Sequence, residues 1–199
     1  MVTKSYVNWT DYVFDGATAY LLIYFKFEPE NPSRMSEKNY ILSADAARRK
    51  LQRMAYEIAE RNTGVRSLVL AGIHDNGMQI ALLLKEMLEE IGVRPTDMVE
   101  IQLEKRHPTT VTLSKEIPVD GQTIILVDDV ADTGKTLLYA LKPFLGKHPA
   151  GIQMLVLVDR AHKAFPVQPD YVGLSLSTTL QEHIFVALEG GQVKGAWLE

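Results

Sequence analysis

Two adjacent carboxylates and a hydroxyl-rich turn stand together in residues 124–136, which read IILVDDVADTGKT. The apolar run Ile124–Val127 predicts a buried strand that ends at Asp128 and Asp129. The following turn contains Gly134, which lets the backbone approach a bound anion closely. It also opens a predicted helix, whose first N–H groups are free to bind phosphate. Because the two carboxylates accept hydrogen bonds from sugar hydroxyls, this spacing indicates a site for a ribose 5-phosphate.

Two other interpretations of this segment are weaker. Gly134-Lys135-Thr136 ends like the P-loop of nucleotide hydrolases, but that loop requires a glycine where Asp129 stands. Alternatively, the two carboxylates merely cap a turn. That reading accounts poorly for their position between a buried apolar run and a Thr-Gly-Lys-Thr helix start. We therefore keep the ribose-phosphate interpretation.

Alternating helices and strands must position this segment. Helices are predicted to begin near Ser43, a good N-cap, and to cover Gly77–Ile91 and Gly134–Leu145. The side chains predicted to face the core are Ala47, Leu51, Met54 and Ile58 in the first helix and Ile80, Leu83, Leu84 and Met87 in the second. Continuous apolar runs predict buried parallel strands, at Ser67–Ile73, Met98–Leu103, Thr123–Val127 and Ile152–Val158.

The order of these elements predicts an α/β fold with a parallel sheet flanked by helices. Thr109–Leu113 resembles one arm of an extended hairpin or mobile loop, and Tyr171–Leu176 and His183–Leu188 are predicted to be short strands. Ligands of such sheets bind beyond the carboxyl ends of the strands. The segments to examine are therefore those that follow Ile73, Leu103, Val127 and Val158.

Composition excludes several classes of protein. The 199 residues carry a formal net charge of −4, which argues against a globally basic nucleic-acid-binding domain. There are no cysteines, so disulfides and thiolate metal sites are excluded, and a cytoplasmic location is expected. The apolar stretch Ala17–Phe27 is shorter than the roughly 18–20 residues of a membrane helix. We read it as strand-like and expect no membrane association.

Residues 1–40 differ in character from the rest and are interpreted as an N-terminal extension to a domain at 41–199. Two hypotheses stay open for them. Either Met35 is the natural start, or the segment is a real extra strand that packs Tyr20, Leu22 and Tyr24 on one face.

The segment 124–136 resembles the phosphoribosyl-diphosphate-binding motif of type I phosphoribosyltransferases. That motif is a hydrophobic run, two acidic residues, a short spacer and Thr-Gly-x-Thr. Beyond it, residues 41–199 resemble the pyrimidine operon regulator/uracil phosphoribosyltransferase family. The other matching stretches are Ile41–Asn62, Leu68–Gly77 and Leu155–Gly173.

This resemblance implies a fold, a reaction and a set of site residues. It implies a small hood and an extended flexible loop beside the sheet, and transfer of a phosphoribosyl group from phosphoribosyl diphosphate, bound with Mg2+, to a nucleobase. By similarity, the catalytic residues are Asp128, Asp129, Asp132 and Arg106. The implied substrate-binding residues are Asp128 and Asp129 for ribose, Asp132, Thr133, Gly134, Lys135 and Thr136 for phosphate, His74, Asp75, Asn76 and Gly77 for pyrophosphate, and Asp159 and Arg160 at the base site. The implied metal ligands are Asp128, Asp129 and Asp159.

The sequence also departs from the family pattern. The pyrophosphate loop has His74 and Asp75 where the regulator family has basic and hydroxyl residues, as in Lys-Thr-Arg-Gly. Asp132 is typical of the hypoxanthine/guanine enzymes, where it faces the purine as an acid/base. Those enzymes also use a lysine where Asp159 stands. We therefore favour uracil as the base and keep a hypoxanthine/guanine enzyme as the alternative.

A second alternative is an RNA-binding regulator with little catalysis. His162, Lys163, Arg48, Arg49 and Arg53 fall in regions that the regulator family devotes partly to RNA. A basic patch of this kind would bind phosphates in a salt-dependent way. The overall acidity of the chain disfavours it. The resemblance also implies a homodimer.

Overall fold

The computed structural model describes residues 38–65, 67–104, 108–177 and 182–199. Lys38–Glu199 is one compact unit. The expectations for residues 1–37, and for Arg106, lie outside the described residues.

A six-stranded sheet in the order β4-β3-β2-β5-β6-β7 forms the centre of this unit. The strands β2, β3, β5, β6 and β7 pair in parallel, and β4 pairs antiparallel to β3. The strands are β2 (Leu68–Ile73), β3 (Asp97–Leu103), β4 (Val111–Leu113), β5 (Thr123–Ala131), β6 (Gly151–Arg160) and β7 (Tyr171–Leu176). The predicted α/β fold is confirmed, and Thr109–Leu113 contributes a hairpin arm.

A second sheet of three antiparallel strands, which we call the hood, has the order β1-β9-β8. Its strands are β1 (Asn39–Ser43), β8 (Ile184–Glu189) and β9 (Gln192–Leu198). Neither β1 nor β9 was among the predicted strands. On one face of the hood, Trp197 lies between Tyr40 and Phe185, with ring centroids 6.0 and 5.9 Å away.

Within the described ranges, four helices connect these strands: α1 (Ala44–Arg61), α2 (Asn76–Glu90), α3 (Lys135–Ala140) and α4 (Lys142–Leu145). Ser43 caps α1 as predicted, since its Oγ accepts the Ala46 N–H at 3.3 Å. The single helix predicted for Gly134–Leu145 is wrong, because it is interrupted at Leu141. Pro143 has no N–H to donate to the carbonyl four residues before it, which explains the interruption.

The core consists of one apolar layer on each face of the central sheet. Successive strand residues point to opposite faces, so Ile125 and Val127 join the layer with α1 and α2. Ile124 and Leu126 join the layer with α3 and α4. The predicted stripe of α1 is fully buried. In α2, Ile80 and Leu84 are buried as predicted, and Leu83 and Met87 are partly buried against the same layer.

None of the helices in the described ranges is long and apolar enough to cross a membrane.

An ion pair at the start of β3 gives a prediction of pH-dependent stability. Asp97 Oδ1 accepts hydrogen bonds from Lys115 Nζ at 2.6 Å and from the Met98 N–H at 2.8 Å. The bond from Lys115 is the main reason that the pKa of Asp97 lies below its ordinary value of 3.8. The stabilisation is therefore fully present above pH 3.8 and is lost as the pH falls through the lowered pKa.

We expect Asp97→Asn to lower the free energy of unfolding by at most about 1 kcal/mol at pH 7, since the pair is at the surface. Urea unfolding of both proteins at pH 7, 5 and 3.5 measures the difference. The difference in free energy of unfolding between the two proteins should be smallest at pH 3.5. A difference that grows as the pH falls would contradict this account.

Candidate active site

The two adjacent carboxylates lie within β5, not after it. β5 continues to Ala131, because Asp128 and Val130 still pair with β6, opposite Val156 and Val158. The predicted end at Val127 is therefore wrong. Asp128 is 1% exposed and Asp129 8%. The Asp129 N–H donates to Asp128 Oδ1 at 3.0 Å, and the Val130 N–H donates to Asp129 Oδ1 at 3.0 Å. These bonds orient both carboxylates at the carboxyl end of the sheet.

The loop after β2 packs directly against this end of β5. Asn76 Nδ2 donates to Asp129 Oδ2 at 2.7 Å and to the Val186 carbonyl of the hood at 3.2 Å. A Cβ on Gly77 would lie 2.6 Å from the Val127 carbonyl oxygen. Gly77 therefore permits the close approach that brings Asn76 to Asp129.

His74 and Asp75 form the exposed part of the same loop. His74 Nδ1 lies 2.7 Å from Glu100 Oε1, and its Nε2 lies 3.1 Å from Asp75 Oδ1. The hydrogen bond from His74 is the main cause that lowers the pKa of Glu100. Asp75 has a φ of 66°, which is unfavourable for a residue with a Cβ. The imidazole thus lies between two carboxylates.

The turn that follows β5 has the shape that its glycine allows. Gly134 has a φ of 81°, in the left-handed region. The Lys135 N–H donates to Thr133 Oγ1 at 3.3 Å. The segment after β6 packs on this turn, because the N–H groups of Ala164 and Phe165 both donate to the Thr133 carbonyl at 3.0 Å. The conformation of the turn therefore depends on the segment after β6.

Two ion pairs join the end of β6 to its surroundings. Arg160 Nη1 lies 2.5 Å from Asp132 Oδ1, and Lys163 Nζ lies 2.5 Å from Asp159 Oδ1. Asp159 and Arg160 are each 8% exposed and belong to the last two positions of β6, which was predicted to end at Val158. The pairing partner Lys163 was not among the predicted site residues.

A cavity of about 320 Å3 opens at this end of the sheet. Its lining residues are Asp128–Leu137 of β5 and the following turn, and Ile184 of the hood. It therefore combines carboxylates, a turn with hydroxyls and one apolar wall, within the size range of small-molecule sites. Asp159 and Arg160 do not line it. Ile184 was missed by sequence reasoning, although it lies in the predicted short strand His183–Leu188.

The fold and the cavity together define a class: an α/β protein with a small-molecule cavity at the carboxyl end of its central parallel strands. The model of the phosphoribosyl transferase domain matches residues 39–188. The chain therefore belongs to the phosphoribosyltransferase family.

Relatives cover most of the chain. It is 41% identical over 176 residues to the bifunctional protein PyrR of Roseiflexus sp., which covers 82% of this chain and 96% of the relative. It is 37% identical to the bifunctional protein PyrR of Bacillus subtilis, over 78% of this chain and 92% of that one. The predicted resemblance to the regulator/uracil phosphoribosyltransferase family is thus confirmed.

Solved structures share the fold at lower identity. The hypoxanthine phosphoribosyltransferase of Trypanosoma cruzi superposes with a TM-score of 0.68 at 20% identity, over 81% of this chain and 95% of that one. The hypoxanthine phosphoribosyltransferase of Staphylococcus aureus superposes with a TM-score of 0.61 at 14% identity, over 74% of this chain and 80% of that one. At such identities the comparison concerns the fold alone.

Proposed function

We propose that this phosphoribosyltransferase joins uracil to phosphoribosyl diphosphate, giving UMP and pyrophosphate. The observation that carries the proposal is the cavity at the end of β5, where two oriented carboxylates adjoin a glycine-containing turn. Uracil is favoured because the relatives at 37–44% identity belong to the regulator/uracil phosphoribosyltransferase family.

In the proposed complex, Asp128 and Asp129 accept hydrogen bonds from the ribose hydroxyls. The backbone N–H groups and hydroxyls of Thr133–Thr136 receive the 5-phosphate. The loop of His74–Gly77 lies against the same end of β5 and is assigned to the pyrophosphate. Fixed donors and acceptors of this kind hold the sugar so that the uracil nitrogen attacks C1 as the bond to pyrophosphate breaks.

The carboxylates of β5 fit a Mg2+ that arrives with the substrate. Mg2+ in proteins keeps several waters and is held by one or two carboxylates plus substrate phosphates. Groups of three or more metal-ligating side chains are absent from the described ranges, so a resident all-protein cage is not expected there. Asp128 and Asp129 are the better candidates, because Lys163 already neutralises Asp159. When bound, the metal would stabilise the charge that develops on the leaving pyrophosphate.

Two observations make the purine alternative less favourable. An acid/base role for Asp132 requires a carboxylate that is free to exchange a proton with the base, yet Arg160 pairs with it at 2.5 Å. The carboxylate of Asp159 stands where the purine enzymes have a lysine, and it is held by Lys163.

The proposed RNA-binding role has weaker support from the basic residues. Arg53 donates to Glu57 and to the Val172 carbonyl, and Lys163 is nearly buried in its ion pair. Arg53 is exposed but engaged in these contacts, and besides it Arg48, Arg49 and His162 are exposed. Three such side chains can neutralise only a few RNA phosphates, so they would release few counterions and bind RNA weakly.

A pyrophosphate-release assay tests the proposed reaction. The protein, Mg2+ and phosphoribosyl diphosphate are incubated with uracil, hypoxanthine, guanine, adenine or orotate, and with no base as the control. We expect base-dependent release with uracil. Release with hypoxanthine or guanine alone would replace uracil by a purine. No release above the control with any base would contradict the proposed catalysis.

A further inference from the structure

The turn assigned to the 5-phosphate contains a carboxylate that should oppose phosphate binding. Asp132 lines the cavity together with Thr133–Thr136, and its side chain is 48% exposed. Two like charges a few ångströms apart repel each other even with partial screening by solvent. A phosphate dianion in this turn therefore requires compensation of the Asp132 charge.

Arg160 supplies a positive charge at this carboxylate from inside the protein. It is 8% exposed and occupies the last position of β6. Its Nη1 lies 2.5 Å from Asp132 Oδ1, and its Nη2 donates to the Glu182 carbonyl just before the hood strand β8. The guanidinium is planar and always charged, and these two contacts fix its position.

We propose that Arg160 is a positioning residue that neutralises Asp132 and thereby makes the turn able to accept a phosphate dianion. This differs from the role at the base site that the family resemblance implies for Arg160. The structure supports the new role because Arg160 does not line the cavity, whereas its partner Asp132 does. The inference rests on the proposed function only in placing a phosphate at this turn.

A purely structural role for Arg160 has a different consequence. The contact with the Glu182 carbonyl ties the end of β6 to the start of the hood. If that tie were the only contribution, Arg160→Lys, which lacks the planar fork that holds Asp132 and the Glu182 carbonyl together, would bind phosphate as weakly as Arg160→Gln. Comparison of the variant that keeps the charge with the variant that removes it therefore separates the two roles.

The experiment is calorimetric titration with ribose 5-phosphate, which carries the phosphate and the sugar but no diphosphate. Arg160→Gln should weaken binding about tenfold, the scale of one partly screened charge near the phosphate. Asp132→Asn combined with Arg160→Gln should restore the Kd to within about threefold of the unchanged protein, because neither charge is then present. Arg160→Lys, which keeps the charge, should also stay within about threefold.

Each outcome decides the inference. Restored binding in both the double variant and Arg160→Lys supports charge compensation, and a double variant or an Arg160→Lys variant as weak as Arg160→Gln overturns it. If Arg160→Gln does not fold, Arg160→Lys and the double variant remain, and weak binding by both would overturn it equally. Absence of ribose 5-phosphate binding by the unchanged protein would also overturn it. If the protein binds ribose 5-phosphate but releases no pyrophosphate with any of the five bases, the proposed reaction is contradicted and the role of Arg160 is not.

Discussion

Replacing Gly134 with alanine is expected to lower kcat/KM for the phosphoribosyl transfer about a hundredfold, the effect of a displacement near 1 Å at a reacting group. Gly134 has a φ of 81°, and a Cβ there would lie 2.6 Å from Val167 Cγ2 and 3.3 Å from the Phe165 carbonyl oxygen. The turn and the segment after β6 must therefore separate. That movement displaces the N–H groups and hydroxyls assigned to the phosphate.

Gly121→Ala is the matched control for this change. Gly121 also has a left-handed φ, of 71°, but a Cβ there would meet none of the heavy atoms in the described part of the protein within 4 Å. Both variants should lose about 1–2 kcal/mol from the left-handed conformation alone. Only Gly134→Ala should also lose activity. Steady-state kinetics and urea unfolding of both variants measure the two effects, and equal activities would contradict the assigned phosphate turn.

The location of the cavity was predictable from the sequence because it depends on local patterns. The apolar run before Asp128 and the glycine in the turn are readable residue by residue. The rule that ligands bind at the carboxyl ends of parallel strands then selects the edge of the sheet at which the cavity lies. The buried stripe of α1 was predictable for the same reason, since its period comes from the helix alone.

The hood was only partly predictable, because its strands pair across long distances. β1 pairs with β9, which lies about 150 residues later in the chain. One local signal was available: Gly190 and Gly191 have φ values of 60° and 70° and connect β8 to β9. A Gly-Gly pair between apolar alternations predicts a two-residue hairpin, and it would have located β9.

The ion pairs at the end of β6 could not be read from the sequence. Asp132 and Arg160 are 28 residues apart, and their contact depends on β5 and β6 pairing as far as Ala131 and Asp159. The same pairing explains why Asp128 and Asp129 lie inside a strand. Backbone hydrogen bonds to a neighbouring strand continued β5 past the point where the apolar pattern ended.

This position inside β5 leads to the second prediction with a large expected effect. Asp128→Asn and Asp129→Asn should each lower kcat/KM by about a hundredfold or more, the scale for removing one oriented polar group from a reacting centre. The change is nearly isosteric, so it removes charge and hydrogen-bond acceptors without creating a cavity. The expected loss follows from the proposed binding of the ribose hydroxyls.

Stability gives a second measurement of the change at Asp129. Asp129 accepts one N–H on each oxygen, from Val130 on Oδ1 and from Asn76 on Oδ2. An asparagine can accept only one of these and must turn its amide nitrogen toward the other donor, which costs about 1–3 kcal/mol for a buried group. We therefore expect Asp129→Asn to lower the free energy of unfolding by about this amount.

Asp97→Asn is the control, because it removes a carboxylate with comparable hydrogen bonds at the opposite end of its strand, away from the cavity lining. It should unfold at slightly lower urea concentration and retain its activity. Kinetics with phosphoribosyl diphosphate and urea unfolding of all three variants provide the measurements. Parental activity in both site variants would refute the assignment of the ribose to β5. A loss confined to Asp129→Asn, together with its lower stability, would instead identify the bond to Asn76 as the feature that holds the pyrophosphate loop in place.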